Sequence, residues 1–279
     1  MWIAAAFVTM ICFGTNNTIF KWSTEKKVSK VHIQFYFYFI AFLLTLGFAI
    51  VVNGTIHLNF ITILLGAFIG ILNANGNIQM SKAFEKGPAS LTSPLVGTNT
   101  IFPIVCAGVV FHEHITLIQW IGIIFMLGSA MVIQYTSEKN RRTNYIPWII
   151  RVGLAVFSFG LLGILMKTTS YLQINSLDIL IAMYGGGSIY LVICSLIKRE
   201  KWQKSEANVG SIVGLISILG YSCYFFALKT GTASIVFPIV SLNCLVVVLA
   251  GFLLYKEKLK RYQVIGVFTA LLGIIFTKI

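Results

Sequence analysis

Residues 83–122, AFEKGPASLTSPLVGTNTIFPIVCAGVVFHEHITLIQWIG, are followed later in the chain by a second version of the same segment. With a shift of 144 residues they align without a gap on residues 227–266, ALKTGTASIVFPIVSLNCLVVVLAGFLLYKEKLKRYQVIG. The identical positions include residues with backbone or polar roles, namely Gly87 and Gly231, Pro94 and Pro238, Asn99 and Asn243, Glu113 and Glu257, and Gln119 and Gln263. A chance match between two apolar segments would instead pair aliphatic residues, so the repeat decides the architecture.

The composition places the chain in a membrane. Its 279 residues are 57% hydrophobic and only 10% charged, with a mean hydropathy of +0.88, whereas soluble domains carry about 25% charged residues. A net charge of +13 would suggest a nucleic-acid partner in a soluble protein. Here the charges lie between apolar runs, so they indicate cytoplasmic loops. The lipid bilayer is the expected partner, and no nucleic acid is expected.

Ten apolar runs are each about long enough to cross a bilayer as a helix. A single span in lipid must satisfy its own backbone hydrogen bonds, so all ten are predicted to be helices and the fold class is all-α. The predicted spans are 2–20, 32–52, 58–80, 88–111, 115–135, 146–166, 177–197, 208–228, 233–254 and 260–277.

The repeat extends to the start of the chain with a shift of 146 residues. Trp2 then meets Trp148, Phe13-Gly14 meets Phe159-Gly160, and Lys21 meets Lys167. The repeating unit is therefore five spans, residues 1–136 and 146–279, joined by a linker at 137–145. Because five is odd, the second unit enters the membrane with the opposite orientation, a plan found among secondary transporters.

Lys and Arg residues are distributed unequally between the two sides of the membrane. The odd-numbered loops and their flanks hold 18 of them, and the other side holds 3. The positive-inside rule then puts the odd-numbered loops in the cytoplasm and both termini outside.

The repeated motifs resemble a known family. Ala83-Phe-Glu-Lys-Gly-Pro-Ala-Ser-Leu, a proline in mid-helix, and Phe111-His-Glu-His ahead of Gln119-Trp-Ile-Gly are similar to an EamA domain, as is the second version of the segment. The resemblance covers essentially the whole chain and is specific for the drug/metabolite transporter (DMT) superfamily. It implies ten helices in two inverted halves around a central cavity, and transport by alternating access. The family is commonly drawn with both termini cytoplasmic, against the charge count, and the orientation is left open.

Asn99 and Asn243 lie near the middle of spans four and nine and are candidate substrate-binding residues. The two-fold relation places them at similar depth near the midplane, where inverted-repeat transporters bind solutes. Their amides could instead join helices. Pro94 and Pro238 precede them and should break the helices, freeing carbonyl groups toward a cavity. The alternative is that the prolines only shape packing.

Span three carries four amides, at positions 73, 75, 77 and 79. Asn73 and Asn77 share one helix face and are further candidates for solute contacts. Tyr221 in span eight is a candidate on the opposite repeat. The alternative is that the end of span three lies in the headgroup region.

The ionisable residues give little support to other chemistries. No acidic residue is expected deep in a span, which argues against cation exchange on a buried carboxylate. Glu113 and Glu257 are expected at the N-termini of the span-five and span-ten helices, where the helix dipole favours them. His112 and His114 lack metal-binding helix spacing, so no metal is expected. Lys167 is expected to reach the interface.

These observations predict a secondary transporter that moves a small polar metabolite, such as an amino acid, a sugar or a related solute. No ATP-binding motif is present, so a coupling ion or a proton would supply the energy. No cofactor and no enzymatic activity are expected. A drug or toxic-metabolite exporter of the same superfamily, or a non-transporting membrane scaffold subunit, remains an alternative. A homodimer is also left open.

Overall fold

The computed structural model describes residues 1–25, 29–53, 58–87, 89–135, 145–198, 202–255 and 260–277. These residues are almost entirely helical, as a bilayer requires. The helices are Trp2–Glu25 (α1), Lys30–Asn53 (α2), Phe60–Lys86 (α3), Ala89–Gly97 (α4), Ile101–Val109 (α5), Leu117–Gln134 (α6), Tyr145–Tyr171 (α7), Ser176–Lys198 (α8), Lys204–Thr230 (α9), Ala233–Ser241 (α10), Asn243–Tyr255 (α11) and Arg261–Phe276 (α12).

The described residues contain nine segments that are long and apolar enough to cross a membrane. A further apolar helix, α12, has 16 residues. Spans four and nine are each made of two helices, α4 with α5 and α10 with α11. The chain is thus a multi-pass all-α membrane protein with two five-span repeats.

The two repeats are interleaved rather than side by side. The third helix of the first repeat, α3, packs against α7 and α8, the first two helices of the second repeat. The same arrangement holds in reverse, since α9 packs against α1 and α2. The last helices of the repeats, α6 and α12, pack against each other. Each repeat therefore completes its core with helices of the other.

Glycines at equivalent positions show the same two-fold relation in atomic detail. A Cβ atom at Gly76 in α3 would lie 2.6 Å from the Phe159 ring in α7. A Cβ atom at Gly220 in α9 would lie 3.1 Å from the Phe13 ring in α1. Only glycine lets these helices approach so closely, which explains why both repeats retain it.

Equivalent helices of the two repeats run antiparallel. In the α6 and α12 pair, a Cβ atom at Gly122 would meet the carbonyl oxygen of Gly273, and one at Gly266 would meet the Ile133 side chain. Residue numbers thus rise along one helix as they fall along the other. In the α2 and α8 pair, His32 contacts Ser195 near the start of one helix and the end of the other. The repeats are therefore inverted, as the odd number of spans predicts.

The helix breaks in spans four and nine lie just after Pro94 and Pro238, where they were predicted. Pro94 and Pro238 lie inside α4 and α10, and both of these helices end three residues later. In span four a 3₁₀ turn, Thr98–Thr100, separates the halves. Pro103 adds to this break, because it lacks the N–H that would bond to the Asn99 carbonyl in a continuous helix. The sequence analysis considered Pro94 and Pro238 but not Pro103.

Several helices extend beyond their apolar runs. Helix α1 continues to Glu25, five residues past its predicted end. Asn16 and Asn17 thus lie about two turns before the end of the helix. Polar flanks can continue a helix once its apolar face is packed, because most helix stability in proteins comes from packing.

Candidate functional site

A cluster of uncharged polar side chains joins the third helices of the two repeats. The Asn73 side chain in α3 donates a hydrogen bond to the Tyr221 hydroxyl in α9, with an N–O distance of 2.6 Å. The Asn77 side chain donates to the Asn73 backbone carbonyl at 3.0 Å. Three of the five predicted contact residues are thus brought together. Asn73 and Tyr221 are each 7% exposed, so this conformation closes the cluster off from solvent.

Aromatic rings surround this cluster. Phe13 of α1 packs on Tyr221 with ring centroids 4.7 Å apart. Tyr184 of α8 meets Tyr221 edge to face at 6.3 Å, and Tyr38 of α2 meets Tyr184 at 5.9 Å. Tyr38 and Tyr184 are separated by 146 residues and occupy equivalent positions in the two repeats. The cluster therefore combines polar groups from both repeats with aromatic faces.

Two polar atoms beside the cluster are buried and have no hydrogen-bond partner among the residues that the structure describes. The Asn16 amide nitrogen donates to the Ser217 hydroxyl at 2.8 Å, but the Asn16 side-chain oxygen has no partner. The Tyr184 hydroxyl also has none. Buried polar groups are normally paired, so such exceptions call for a physical explanation. A bound solute or water that both donates and accepts would complete their hydrogen bonding.

The other two predicted contact residues lie at the helix breaks. Asn243 is the first residue of α11. Its side-chain amide nitrogen donates a hydrogen bond to the Val240 carbonyl at 3.0 Å. Its side-chain oxygen accepts one from the Asn17 amide nitrogen at 3.2 Å. Asn99 lies in the 3₁₀ turn, where its oxygen accepts from the Thr100 hydroxyl at 3.2 Å. Within the described part of the chain, no hydrogen bond joins either residue to the Asn73 cluster. The predicted residues therefore form two groups.

Glu113 caps a helix other than the one predicted. Helix α6 has its own N-cap, Thr116, in a capping box with Gln119. The Glu113 carboxylate instead accepts hydrogen bonds from the backbone N–H groups of Ala233 and Ser234 at the start of α10, each at 2.9 Å. The predicted position of Glu113 at the N-terminus of α6 is therefore wrong, because the Thr116 side chain already caps that helix.

Lys167 pairs with this carboxylate rather than extending to the headgroups. Its ammonium lies 2.9 Å from Glu113, and both side chains are 12% exposed. Burial would raise the pKa of Glu113, but hydrogen bonds from Ser234, Lys167 and Ala233 outweigh it and hold the pKa below its ordinary value. Glu113, Lys167 and the start of α10 thus form one ionic contact between the repeats, here called the Glu113 clasp.

A second buried polar network was missed by the sequence analysis. His32 Nδ1 lies 3.0 Å from the Glu206 carboxylate, and His32 Nε2 lies 2.8 Å from the Ser195 hydroxyl. Glu206 also accepts from the backbone N–H groups of Ser29 and Gln203. His32 and Glu206 are both 0% exposed.

Glu206 does not contradict the expectation that no acidic residue lies deep in a span, because it is the third residue of α9 and is buried at the start of that helix. The spacing of Gln203 and Glu206 is a capping-box signal for a helix start. No local signal points to His32, which is 174 residues away. Trp202 stacks on the His32 ring at 3.9 Å and covers it, so the network ties α2, α8 and α9 together.

Comparisons with known proteins agree with this architecture. The model of the EamA-like transporter family matches the chain twice, over residues 1–135 and 146–279. No curated protein matches the chain significantly. The crystal structure of another protein is similar to this chain, with a TM-score of 0.82 over 98% of this chain and 94% of the other. At 10% identity this likeness concerns the fold alone. The two family matches cover nearly the whole sequence, and the chain belongs to the EamA-like transporter family.

Proposed function

We propose that the chain is a secondary transporter that moves a small neutral or zwitterionic metabolite, such as an amino acid or a sugar, by alternating access. The observation that carries this proposal is the buried, uncharged polar cluster where α3 and α9 meet. Inverted-repeat transporters bind their solutes near the midplane, at the junction of the repeats. Asn73 and Tyr221 lie at that junction.

The chemistry of the cluster suits such a solute. The amides and hydroxyls supply both donors and acceptors without a fixed charge. The unpaired Asn16 oxygen and Tyr184 hydroxyl offer one free acceptor and one free hydroxyl. The rings of Phe13 and Tyr221 would pack on the apolar part of the solute. Because the cluster is closed here, the helices must separate on one side to admit it.

The second group, Asn99 and Asn243, contributes through the breaks that hold it. A broken helix leaves carbonyl groups without intrahelical donors, and in transporters such groups face solutes or coupling ions. We propose that Asn99 and Asn243 adjust as the half-helices move, with Pro94 and Pro238 fixing where they bend. An ion or proton gradient would drive the cycle.

One observation favours a second candidate, export of drugs or toxic metabolites. The aromatic rings around the cluster extend further, because Tyr224 packs on Phe13 with ring centroids 5.8 Å apart and on Phe237 with ring centroids 5.9 Å apart. Such a surface would accept a larger apolar or cationic compound, because aromatic faces attract cations. The two candidates differ in the class of ligand that they predict.

The test is the apparent melting temperature of the purified protein against amino acids, sugars, nucleosides and organic cations. A ligand at one hundred times its Kd stabilises the folded state by about 2.7 kcal/mol. We expect one polar class to raise the melting temperature in wild type and in Asn208→Ala, which alters an exposed amide of α9. The shift should be lost in Asn73→Ala. An undiminished shift in Asn73→Ala would contradict the site.

The identified ligand is then used in a liposome uptake assay. Uptake that depends on Asn73 would support transport of that solute. A response to organic cations alone would instead support the exporter. Binding without any uptake would refute transport and favour a scaffold role.

A further inference from the structure

Arg151 places a positive charge inside the apolar part of α7. It lies six residues after Tyr145, the first residue of the helix, which is about 9 Å along the helix axis. Its guanidinium donates a hydrogen bond to the Gln79 side-chain oxygen of α3 at 2.7 Å. Gln79 lies seven residues before the end of α3 at Lys86, which is about 10 Å along that helix. The two residues are thus at similar distances from neighbouring helix ends, and the guanidinium points from α7 toward α3.

This charge is not neutralised by the protein in the regions that the structure describes. Gln79 is neutral and is the hydrogen-bond partner found there for Arg151. The described ion pairs are His32 with Glu206 and Lys167 with Glu113, and neither includes Arg151. A guanidinium carries several donors in a planar fork, so most of them remain available. An ionisable group that lies within a membrane-spanning helix and has no counter-charge is a candidate binding site.

A chain of amides holds Gln79 in place. Its amide nitrogen donates to the Asn75 side-chain oxygen at 3.0 Å, which also accepts from the Tyr190 hydroxyl at 3.1 Å. The Asn75 amide donates to the buried Ser158 hydroxyl at 2.9 Å. These bonds turn the Gln79 oxygen toward Arg151. The guanidinium is therefore held in one orientation by a network that spans α3, α7 and α8.

The network is separate from the central cluster. Asn75 is two residues from Asn73, so its side chain lies about 160° away around α3. Lys82 shares the Asn75 and Gln79 face, one turn closer to the end of the helix, and is half-buried. Two cations and two amides thus lie on one side of α3, near the positively charged end of the bundle.

The fold does not require this network for packing. The two-fold relation assigns Ala5 to the position of Arg151 and Cys223 to that of Gln79. It assigns Leu219 to the position of Asn75 and Leu44 to that of Tyr190. Helices α9, α1 and α2 pack together in the same way with these apolar or weakly polar residues. A purely structural tie would not explain why one half alone carries a charge here.

We propose that Arg151, Gln79 and Lys82 form a binding site for a carboxylate or phosphate group. The planar guanidinium fork matches both groups and can bind them through two parallel hydrogen bonds. Lys82 adds a second positive charge. The same chemistry would recognise a small anionic solute or the headgroup of an anionic lipid. The site does not depend on solute binding at the central cluster.

The test measures the apparent melting temperature of the full chain in neutral detergent, titrated with phosphate or succinate against chloride at constant ionic strength. In a second arm the protein is held in bilayers of phosphatidylcholine with or without phosphatidylglycerol, in chloride buffer alone. We expect a saturable rise in one arm. Arg151→Met should abolish it. Arg261→Met, which removes an exposed arginine at the start of α12, should leave it unchanged.

Arg151→Lys keeps the charge but loses the fork, and losing one charge-assisted hydrogen bond predicts a half-saturation about tenfold weaker. Gln79→Leu keeps the arginine and removes its orienting partner, so it should also weaken binding and serves if Arg151→Met cannot be purified. A rise with soluble anions identifies a solute group, and a rise only with phosphatidylglycerol identifies a lipid headgroup. No rise in either arm, or an equal rise in Arg151→Met, would overturn the proposal.

Discussion

The Glu113 clasp yields the sharpest prediction on stability. Replacing Glu113 with Gln keeps the size of the side chain but removes the negative charge from two backbone N–H groups of α10 and from Lys167. A hydrogen bond to a charged group contributes about 1.5–3 kcal/mol, and removing one member of a poorly solvated ion pair costs about 3–5 kcal/mol. Gln can retain part of the hydrogen bonding, so we expect a loss of about 3 kcal/mol.

The assay is the apparent melting temperature of the purified protein, which should fall by about 5–10 °C. Glu85→Gln is the matched control, because Glu85 is exposed at the end of α3 and should change stability little. The double variant Glu113→Gln/Lys167→Met should recover part of the loss, since it no longer leaves an unpaired buried ammonium. Equal melting temperatures for Glu113→Gln and Glu85→Gln would refute the reasoning.

The same clasp predicts a dependence on pH. The folded-state pKa of Glu113 lies below its ordinary value of 4.5. Its contribution is therefore fully present above about pH 4.5 and is lost as the pH falls through the lowered folded value. The difference in melting temperature between wild type and Glu113→Gln should be constant at neutral pH and shrink in acid. A difference that grew in acid would have the wrong sign.

Three further variants test other contacts by melting temperature. Glu206→Gln should destabilise by about 3 kcal/mol, because it leaves a fully buried network without its carboxylate, and a wild-type value would contradict that role. Gly76→Ala should cost about 1–3 kcal/mol, since its Cβ would meet a facing aromatic ring. Gly128→Ala should be neutral or slightly stabilising, because a Cβ atom there would have no described atom within 4 Å. Similar losses at both glycines would argue against close packing. Tyr221→Phe should lose about 1 kcal/mol with its hydrogen bond from Asn73, and no change would show that bond to be dispensable.

The architecture was predictable because membrane and repeat constraints leave few alternatives. The spacing of apolar runs gives the spans, and the retained glycines and prolines give the two-fold relation. The pairing of Asn73 with Asn77 follows from helix periodicity. Their contact with Tyr221 required the interleaved packing, which no local pattern specifies.

The residues that were missed share one physical cause. His32 and Glu206 meet through packing of helices far apart in sequence, and each alone resembles a residue at a helix end. Arg151 was one of the 18 basic residues that orient the loops, and its bond to Gln79 depends on the packing of α7 against α3. Pairings between distant helices thus decided these roles.

Because the repeats are interleaved, the first repeat is synthesised before the helices that complete its core. Helix α3 is synthesised before α7 and α8, the two helices against which its glycines pack. Helix α3 therefore remains without these partners until the chain has been extended to Lys198, and α1 and α2 remain without α9 until the chain reaches Thr230. Membrane proteases that degrade unassembled helices would encounter an incomplete bundle at this stage. Ribosome stalling or truncation between the repeats should expose it to proteolysis, however stable the completed molecule is.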